Sequence, residues 1–97
     1  MDAATYLDAA LTTVDKLDRL CCDPGRSPRM AALREAIEGA KGAIDDPAGM
    51  AARLEDAGAQ VGSLQIGCCA PARMPLYAAV LDDLTRARLA AGPDMHA

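Results

Sequence analysis

The chain has 97 residues and a formal net charge of −4, and Tyr6 and Tyr77 are its only aromatic residues. This length is typical of one small domain, whose core must be built from aliphatic side chains and is therefore thin. The acidic balance argues against nucleic-acid binding, which needs a basic face, and we find neither a signal peptide nor an apolar run that could cross a bilayer. We therefore expect a cytoplasmic protein without a nucleic-acid or membrane partner.

The first half of the chain predicts two helices joined by a proline-rich turn. Apolar residues recur at steps of four and three, the spacing of a coiled-coil seam. In the first helix these are Ala3, Leu7, Ala10, Val14, Leu17 and Cys21, and in the second they are Met30, Leu33, Ile37, Ala40 and Ile44. Pro24 interrupts the helical pattern, and Ser27 with Pro28 supplies an N-cap and a first helical residue.

The second half predicts the same arrangement. Asp45, Asp46 and Pro47 form a cap and start for the third helix, and Pro71 ends it, since proline lacks the donor that a helix interior needs. The third seam comprises Met50, Leu54, Ala57, Val61, Leu64 and Cys68, and the fourth comprises Tyr77, Val80 or Leu81, Leu84, Ala87 and Ala91. Pro75 stands where Pro28 does, but Met74 is a poor capping residue, and Gly92 with Pro93 closes the last helix.

The two halves are related by an internal repeat. Residues 3–44 laid over 50–91 give fourteen identities in forty-two positions, where the composition gives about four by chance. The octet C-C-x-P-(G/A)-R-x-P occurs at residues 21–28 and again at 68–75. We therefore predict an all-α fold, a four-helix up-down-up-down bundle built from two duplicated helical hairpins. It forms one domain over residues 1–93, with a flexible tail at 94–97.

The two octets contain all four cysteines, Cys21, Cys22, Cys68 and Cys69. Each octet joins an odd helix to the next even one, so in this topology both lie at the same end of the bundle. Cys21 and Cys68 continue the buried seams and are expected to face each other. Cys22 and Cys69 are rotated by about 100° on an ideal helix, and they join the same site if the helix unwinds before the proline.

This constellation predicts a metal–thiolate site. In the cytosol four cysteines more often bind metal or do redox work than form lasting disulfides. Adjacent cysteines chelate a single tetrahedral ion awkwardly, whereas a cluster of several metal atoms spreads its corners. An iron–sulfur cluster for electron transfer or sensing is the first hypothesis, and Cu(I) or Zn binding or storage is the alternative. Such a protein would act with a redox or metal-delivery partner.

Three further residues are predicted to surround the thiolates. Arg26 and Arg73 recur at equivalent positions and would offset thiolate charge. Tyr77 follows the second octet at a seam position, where its hydroxyl either caps the site or reaches water. Met74 is a soft ligand for copper or, more simply, a flexible side chain that fills a gap in the core.

Other functions remain open. The cysteines would form a disulfide in a thiol–disulfide redox switch, or would be structural core thiols in a helical interaction module completed by a homodimer or another partner. Catalysis has the least support, because His96 is the only histidine and lies in the tail, which leaves no nucleophile–base pair. We interpret the acidic pair at 45–46 as turn residues and the pair at 82–83 as a solvent-exposed face.

Overall fold

The computed structural model describes residues 2–20, 28–65 and 70–90. Four helices account for most of them: α1 is Ala3–Leu20, α2 is Pro28–Gly42, α3 is Pro47–Leu64 and α4 is Ala70–Ala90. The described residues contain no β-strand, which confirms the all-α prediction. Over the same residues, no helix has an apolar stretch long enough to cross a membrane.

The seams predicted for the first and third helices are the core faces of α1 and α3. The buried residues of α1 are Ala3, Leu7, Ala10, Val14 and Leu17, and those of α3 are Met50, Leu54, Ala57, Val61 and Leu64. Every one of them is a predicted seam residue. Steps of four and three keep them on one face because they follow the 3.6-residue turn of the helix.

The cores of α2 and α4 follow the prediction with small differences. Buried apolar residues are Met30, Leu33, Ala36, Ile37 and Ala40 in α2, and Tyr77, Val80, Leu84 and Ala87 in α4. Ile44 lies in the turn after α2 and is only partly buried. Val80 occupies the buried position for which Leu81 was the other choice, and Leu81 packs against the edge of the core. Ala91 lies outside the described residues.

The helices pack in a ring. α1 packs most extensively against α4 and α2 against α3, while α1–α2 and α3–α4 make smaller contacts. Among the described residues the two diagonal helix pairs have no Cα atoms within 8 Å of each other. The resulting body measures 42 × 21 × 20 Å, a cross-section that two helices fill in each direction at the usual spacing of about 8–10 Å. This packing is consistent with a four-helix bundle.

Cross-helix polar contacts show how neighbouring helices are aligned. Arg34 pairs with Asp15 at 2.5 Å, and Lys41 pairs with Asp8 at 2.6 Å, so residue number rises along α2 as it falls along α1. Between α2 and α3, the Arg29 guanidinium donates a hydrogen bond to the backbone carbonyl of Ser63 at 3.5 Å. Exposed pairs of this kind contribute about 0.2–1 kcal/mol each. They indicate register more than they stabilise the fold.

The start of α3 partly confirms the predicted cap. The helix begins at Pro47, and the Asp46 carbonyl accepts the first helical hydrogen bond from the Met50 N–H at 2.8 Å. The Asp46 side chain makes no capping hydrogen bond, so the expected side-chain cap is wrong. Its carboxylate lies over Gly49, where a Cβ would overlap it.

The start of α4 differs from the prediction. We expected the second octet to form a turn that ends before the helix at Pro75, but α4 begins at Ala70 and includes Pro75 in its interior. Pro71 is tolerated because it lies in the first turn of α4. The N–H of a first-turn residue has no acceptor within the helix, so proline loses no hydrogen bond there. Pro75 has no N–H to donate to the carbonyl four residues earlier, which is a cost to the helix.

The residues before Pro75 favour this early start. Residues 70–74 are APARM, and alanine, arginine and methionine favour a helix and carry no short polar group that competes for backbone hydrogen bonds. α4 therefore has 21 residues.

Glycines in α2 provide a test of its helical packing. A Cβ at Gly42 would meet nothing within 4 Å, so Gly42→Ala should raise the free energy of unfolding by about 0.5 kcal/mol, since alanine loses less backbone entropy on folding. A Cβ at Gly39 would lie 3.2 Å from the Arg53 guanidinium, and Gly39→Ala should gain less or lose stability. Urea denaturation of both variants measures the difference, and equal gains would contradict the close approach of α2 and α3 at Gly39.

Candidate functional site

The thiol groups of the predicted site lie outside the part of the chain that the structure describes. This applies to Cys21, Cys22, Cys68 and Cys69 and to Arg26, so their coordination stays a prediction. Within residues 2–20, 28–65 and 70–90, no group of three or more His, Cys, Asp or Glu residues is placed to hold a metal ion. The described helix ends and side chains that border the octets therefore define the site.

Every helix has one end next to an octet. α1 ends at Leu20, directly before the first cysteine doublet, and α2 begins at Pro28, the last residue of the first octet. α3 ends at Leu64, four residues before the second doublet, and α4 begins at Ala70, directly after it. The cysteines are thus attached to helices whose packing is defined.

Arg73 is a buried cation in the first turns of α4. Its exposed fraction is 5%, and it lies four residues before Tyr77 on the face that continues through Val80 and Leu84. Arg73 therefore begins the core seam of the helix. The sequence analysis predicts a charge at this position but not its burial. The signal is the spacing, since Arg73 lies one step of four residues before Tyr77, the first residue of the predicted α4 seam.

Tyr77 lies beneath Arg73 in the core. Its side chain is fully buried, and the Cζ atom of Arg73 is 5.7 Å from the centre of its ring. This is a cation–π distance, and such contacts contribute about 0.5–2 kcal/mol depending on desolvation. The alternative in which the Tyr77 hydroxyl reaches water is wrong, and the prediction that it caps the thiol site stays a prediction.

The Arg73 guanidinium gives this end of the core a positive charge. A buried cation favours the ionised form of an acidic group close to it, because the attraction is little screened in the interior. Thiols in this environment would ionise more readily, which is the condition for binding a metal or acting as nucleophiles. Sequence position puts the second cysteine doublet four and five residues before Arg73.

The described core residues nearest the octets are apolar. On α1, α2 and α3 they are Leu17, Met30 and Leu64, and Tyr77 is the corresponding apolar residue on α4. None of the four is more than 7% exposed.

Met74 does not fill a gap in the core. Its exposed fraction is 43%, and Leu20, the last residue of α1, is 57% exposed. Met74 therefore points away from the core face that Arg73 and Tyr77 occupy. The interpretation of Met74 as a core gap-filler is wrong, and a role as a copper ligand stays untested.

The acidic pair of α4 does not behave as one solvated face. Asp82 is exposed and accepts a hydrogen bond from Arg86 at 2.8 Å, whereas Asp83 is partly buried. Burial, and then the charge of Asp82, raise the pKa of Asp83, although Arg86 opposes this. The hydrogen bond and charge of Asp82, with a smaller contribution from the Tyr6 hydroxyl, raise the pKa of Arg86. The solvent-face prediction thus holds for Asp82 only.

Comparisons with protein-family models, with curated proteins and with solved structures found no match. The function is therefore argued from the residues of this chain.

The two aspartates predict opposite effects on stability. Because the pKa of Asp83 is raised on folding, its stabilising contribution is present at low pH and is lost as the carboxyl ionises. Asp83→Asn should therefore raise the free energy of unfolding at pH 7, by up to about 0.5 kcal/mol. The gain should shrink below about pH 4, where the wild-type carboxyl is protonated.

The matched variant Asp82→Asn removes the charge that Arg86 pairs with and should cost about 0.3–0.5 kcal/mol at pH 7. Denaturant unfolding at pH 3 and pH 7 compares the two, and a destabilising Asp83→Asn at pH 7 would contradict the cause assigned to its shift.

Arg73 variants separate its charge from its packing. Arg73→Ala removes a buried side chain and the contact with the Tyr77 ring, and should lower the free energy of unfolding by about 2 kcal/mol. Arg73→Met retains most of the volume without the charge and should therefore lose less stability than Arg73→Ala. Arg19→Ala, an exposed control at the end of α1, should change stability by less than about 0.5 kcal/mol. Equal losses for the alanine and methionine variants would show that the fold itself requires the charge.

Proposed function

We propose that this chain is a metal–thiolate protein in which Cys21, Cys22, Cys68 and Cys69 hold an iron–sulfur cluster at one end of a four-helix bundle. Its role is electron transfer or sensing, with a redox or metal-delivery protein as its partner. A cluster of this kind supplies a one-electron redox centre when bound. The helices supply its position, and the surrounding residues supply charge and exclude water.

The proposal needs an up-down-up-down bundle, which we infer from helix register. The α1–α2 ion pairs at 8–41 and 15–34 and the α2–α3 contact at 29–63 support antiparallel neighbours. Each step forward on one helix is matched by a step back on the next. The recurrence of buried positions at an offset of 47 residues, such as Leu7 and Leu54 or Val14 and Val61, supports the duplicated hairpins.

The alignment of α1 with α4 carries the proposal. Tyr6 of α1 and Arg86 of α4 line the same surface groove, and in the antiparallel arrangement that we propose for these two helices the sum of residue numbers stays constant along their contact. Continued along both helices, this register brings Leu20, the end of α1, to the level of the first turn of α4. The doublets next to these ends then lie about one helix spacing apart, 8–10 Å between axes, which a cluster with several metal atoms can span.

Electrostatics supports an anionic centre at this position. A cluster held by four thiolates is negatively charged, and hydrogen bonds or nearby cations tune its potential. Arg73 brings a buried positive charge to the octet end of α4, and Arg26 occupies the equivalent position in the first octet. Two arginines would offset part of the charge of four thiolates.

A Cu(I)–thiolate site is the second candidate. Met30 is 2% exposed and lies four residues after Arg26, at the seam position where α4 has Tyr77. A buried thioether close to thiolates would be a soft donor, and Cu(I) prefers soft sulfur donors over harder oxygen donors. Zinc is less favoured by vicinal cysteines, since its structural sites usually separate the ligands by two to four residues.

The test is purification under anaerobic conditions, followed by an absorption spectrum and by iron and acid-labile sulfide analysis. We expect visible absorption with about two to four iron atoms and matching sulfide per chain. Cys21→Ser/Cys68→Ser should abolish both, and Arg73→Met should retain the cluster but shift its reduction potential downward, because a positive charge is lost. Copper without sulfide would favour the second candidate.

A colourless chain without metal, which also fails to take up iron with sulfide, Cu(I) or zinc, would contradict the whole proposal. Free-thiol counts before and after mild oxidation would then distinguish a disulfide switch from structural thiols.

A further inference from the structure

The outer surfaces of the α1–α2 and α3–α4 hairpins differ in charge when equivalent positions, 47 residues apart, are compared. On the α1–α2 face, Asp15 pairs with Arg34 and Asp8 pairs with Lys41. This face is therefore charged along most of its length, as expected for a surface in contact with water. The corresponding face of α3 and α4 has a different composition, although the core seams of the two hairpins match.

The α3–α4 face lacks one of these two charged pairs. Gly62 and Leu81 occupy the positions of Asp15 and Arg34, so the ion pair is replaced by uncharged residues. One row on α4 contains no charge over its described length: Met74, Ala78, Leu81, Thr85 and Leu89. Leu89 is 74% exposed and Met74 43%. These are two of the three large apolar side chains exposed in the described part of the chain.

A groove lies between α3 and α4 on this face. It has a volume of about 140 Å³ and is lined by Leu54, Gly58, Leu81 and Leu84 together with the polar residues Glu55, Thr85 and Arg88. At the position of Gly58 the first hairpin has Leu11, which packs against the core. The missing side chain leaves space comparable to an engineered cavity of about 150 Å³ that binds one benzene molecule. The groove can therefore receive an aliphatic side chain.

We propose that the α3–α4 face is an interface with a second copy of this chain, related by a twofold axis through the groove. The observation that carries it is the replacement of the Asp15–Arg34 ion pair of one hairpin by Gly62 and Leu81 on the other, next to a groove and to exposed apolar side chains. The proposal concerns a surface along the side of the bundle and does not depend on the thiolate site.

Charge complementarity favours a second copy as the occupant. Glu55 and Arg88 lie at the groove at the positions of Asp8 and Lys41. The first-hairpin charges pair with each other, but Glu55 and Arg88 make no ion pair with each other. A twofold axis brings α4 of one copy over α3 of the other, so that the Glu55 side of each meets the Arg88 side of its partner. Such an isologous contact is self-complementary.

The size of the face is sufficient for a stable dimer. The long side of the molecule measures 42 by 21 Å, which is comparable to the roughly 800 Å² per partner of a standard interface. A core without Trp or Phe also leaves a small domain marginally stable, and burial of Leu81 and Leu89 in a dimer would add to its apolar contacts.

The test transfers the charged pair of the first hairpin to the second. Gly62→Asp/Leu81→Arg recreates the Asp15–Arg34 arrangement, which the fold already accommodates between α1 and α2. Wild type should form a dimer by sedimentation velocity between about 1 and 500 µM. The double variant should weaken association at least about 100-fold, since it places charges in an apolar interface, while circular dichroism shows unchanged helix content. Thr12→Arg, an exposed control on α1, should remain dimeric.

Three results would overturn the proposal. They are a wild type that is monomeric throughout this range, a double variant that associates as wild type does, and a Thr12→Arg variant that dissociates as readily as the double variant. Dimers formed only after removal of residues 91–97 would instead assign the face to that segment of the same chain. A double variant that fails to fold is replaced by Leu89→Lys, which alters only an exposed residue and should weaken the dimer in the same direction.

Discussion

The burial of one narrow apolar seam on each helix is the constraint on which the rest of this structure depends. The seams consist almost entirely of alanine, leucine, valine, isoleucine and methionine, so little area is buried per helix turn. Small residues such as Ala10, Ala40, Ala57 and Ala87 recur where helices face each other. They let helix axes approach closely, and the core gains close packing in place of large side chains.

Arg73 is the exception within this seam, and it connects the fold to the proposed chemistry. A cation placed on an otherwise apolar face is costly unless charge or a ring compensates it. The Tyr77 ring supplies part of this compensation. Arg73 thus places a buried charge four residues after Cys69 in the sequence, and Tyr77 follows it in the apolar core. Metal-binding thiolates benefit from both features, because each favours an ionised ligand in a little-screened environment.

The sequence was sufficient to predict the helical elements and most core residues, because burial follows helical spacing directly. It was insufficient at the start of α4. Because Pro71 is equivalent to Pro24 in the repeat, the sequence predicts a turn at both prolines, but Pro71 lies in the first turn of α4. The helix-forming residues around Pro71 extend α4 back to Ala70, an outcome that depends on neighbouring propensities more than on the prolines. The burial of Arg73 was also missed, since charge was given more weight than seam position. The arrangement of the four cysteines depends on backbone geometry next to proline, which spacing alone does not determine.

The convergence of the two cysteine doublets is the central claim, and proximity between thiols tests it most directly. In Cys22→Ser/Cys69→Ser, only Cys21 and Cys68 remain, so a short crosslinker with two thiol-alkylating groups can bridge no adjacent pair. The account predicts a rapid bridge within one chain of the folded, reduced protein, detected by mass spectrometry, and its slowing by at least about tenfold in urea, where the ends of the loop separate. Two independent single modifications in the folded chain, without a bridge, would contradict it.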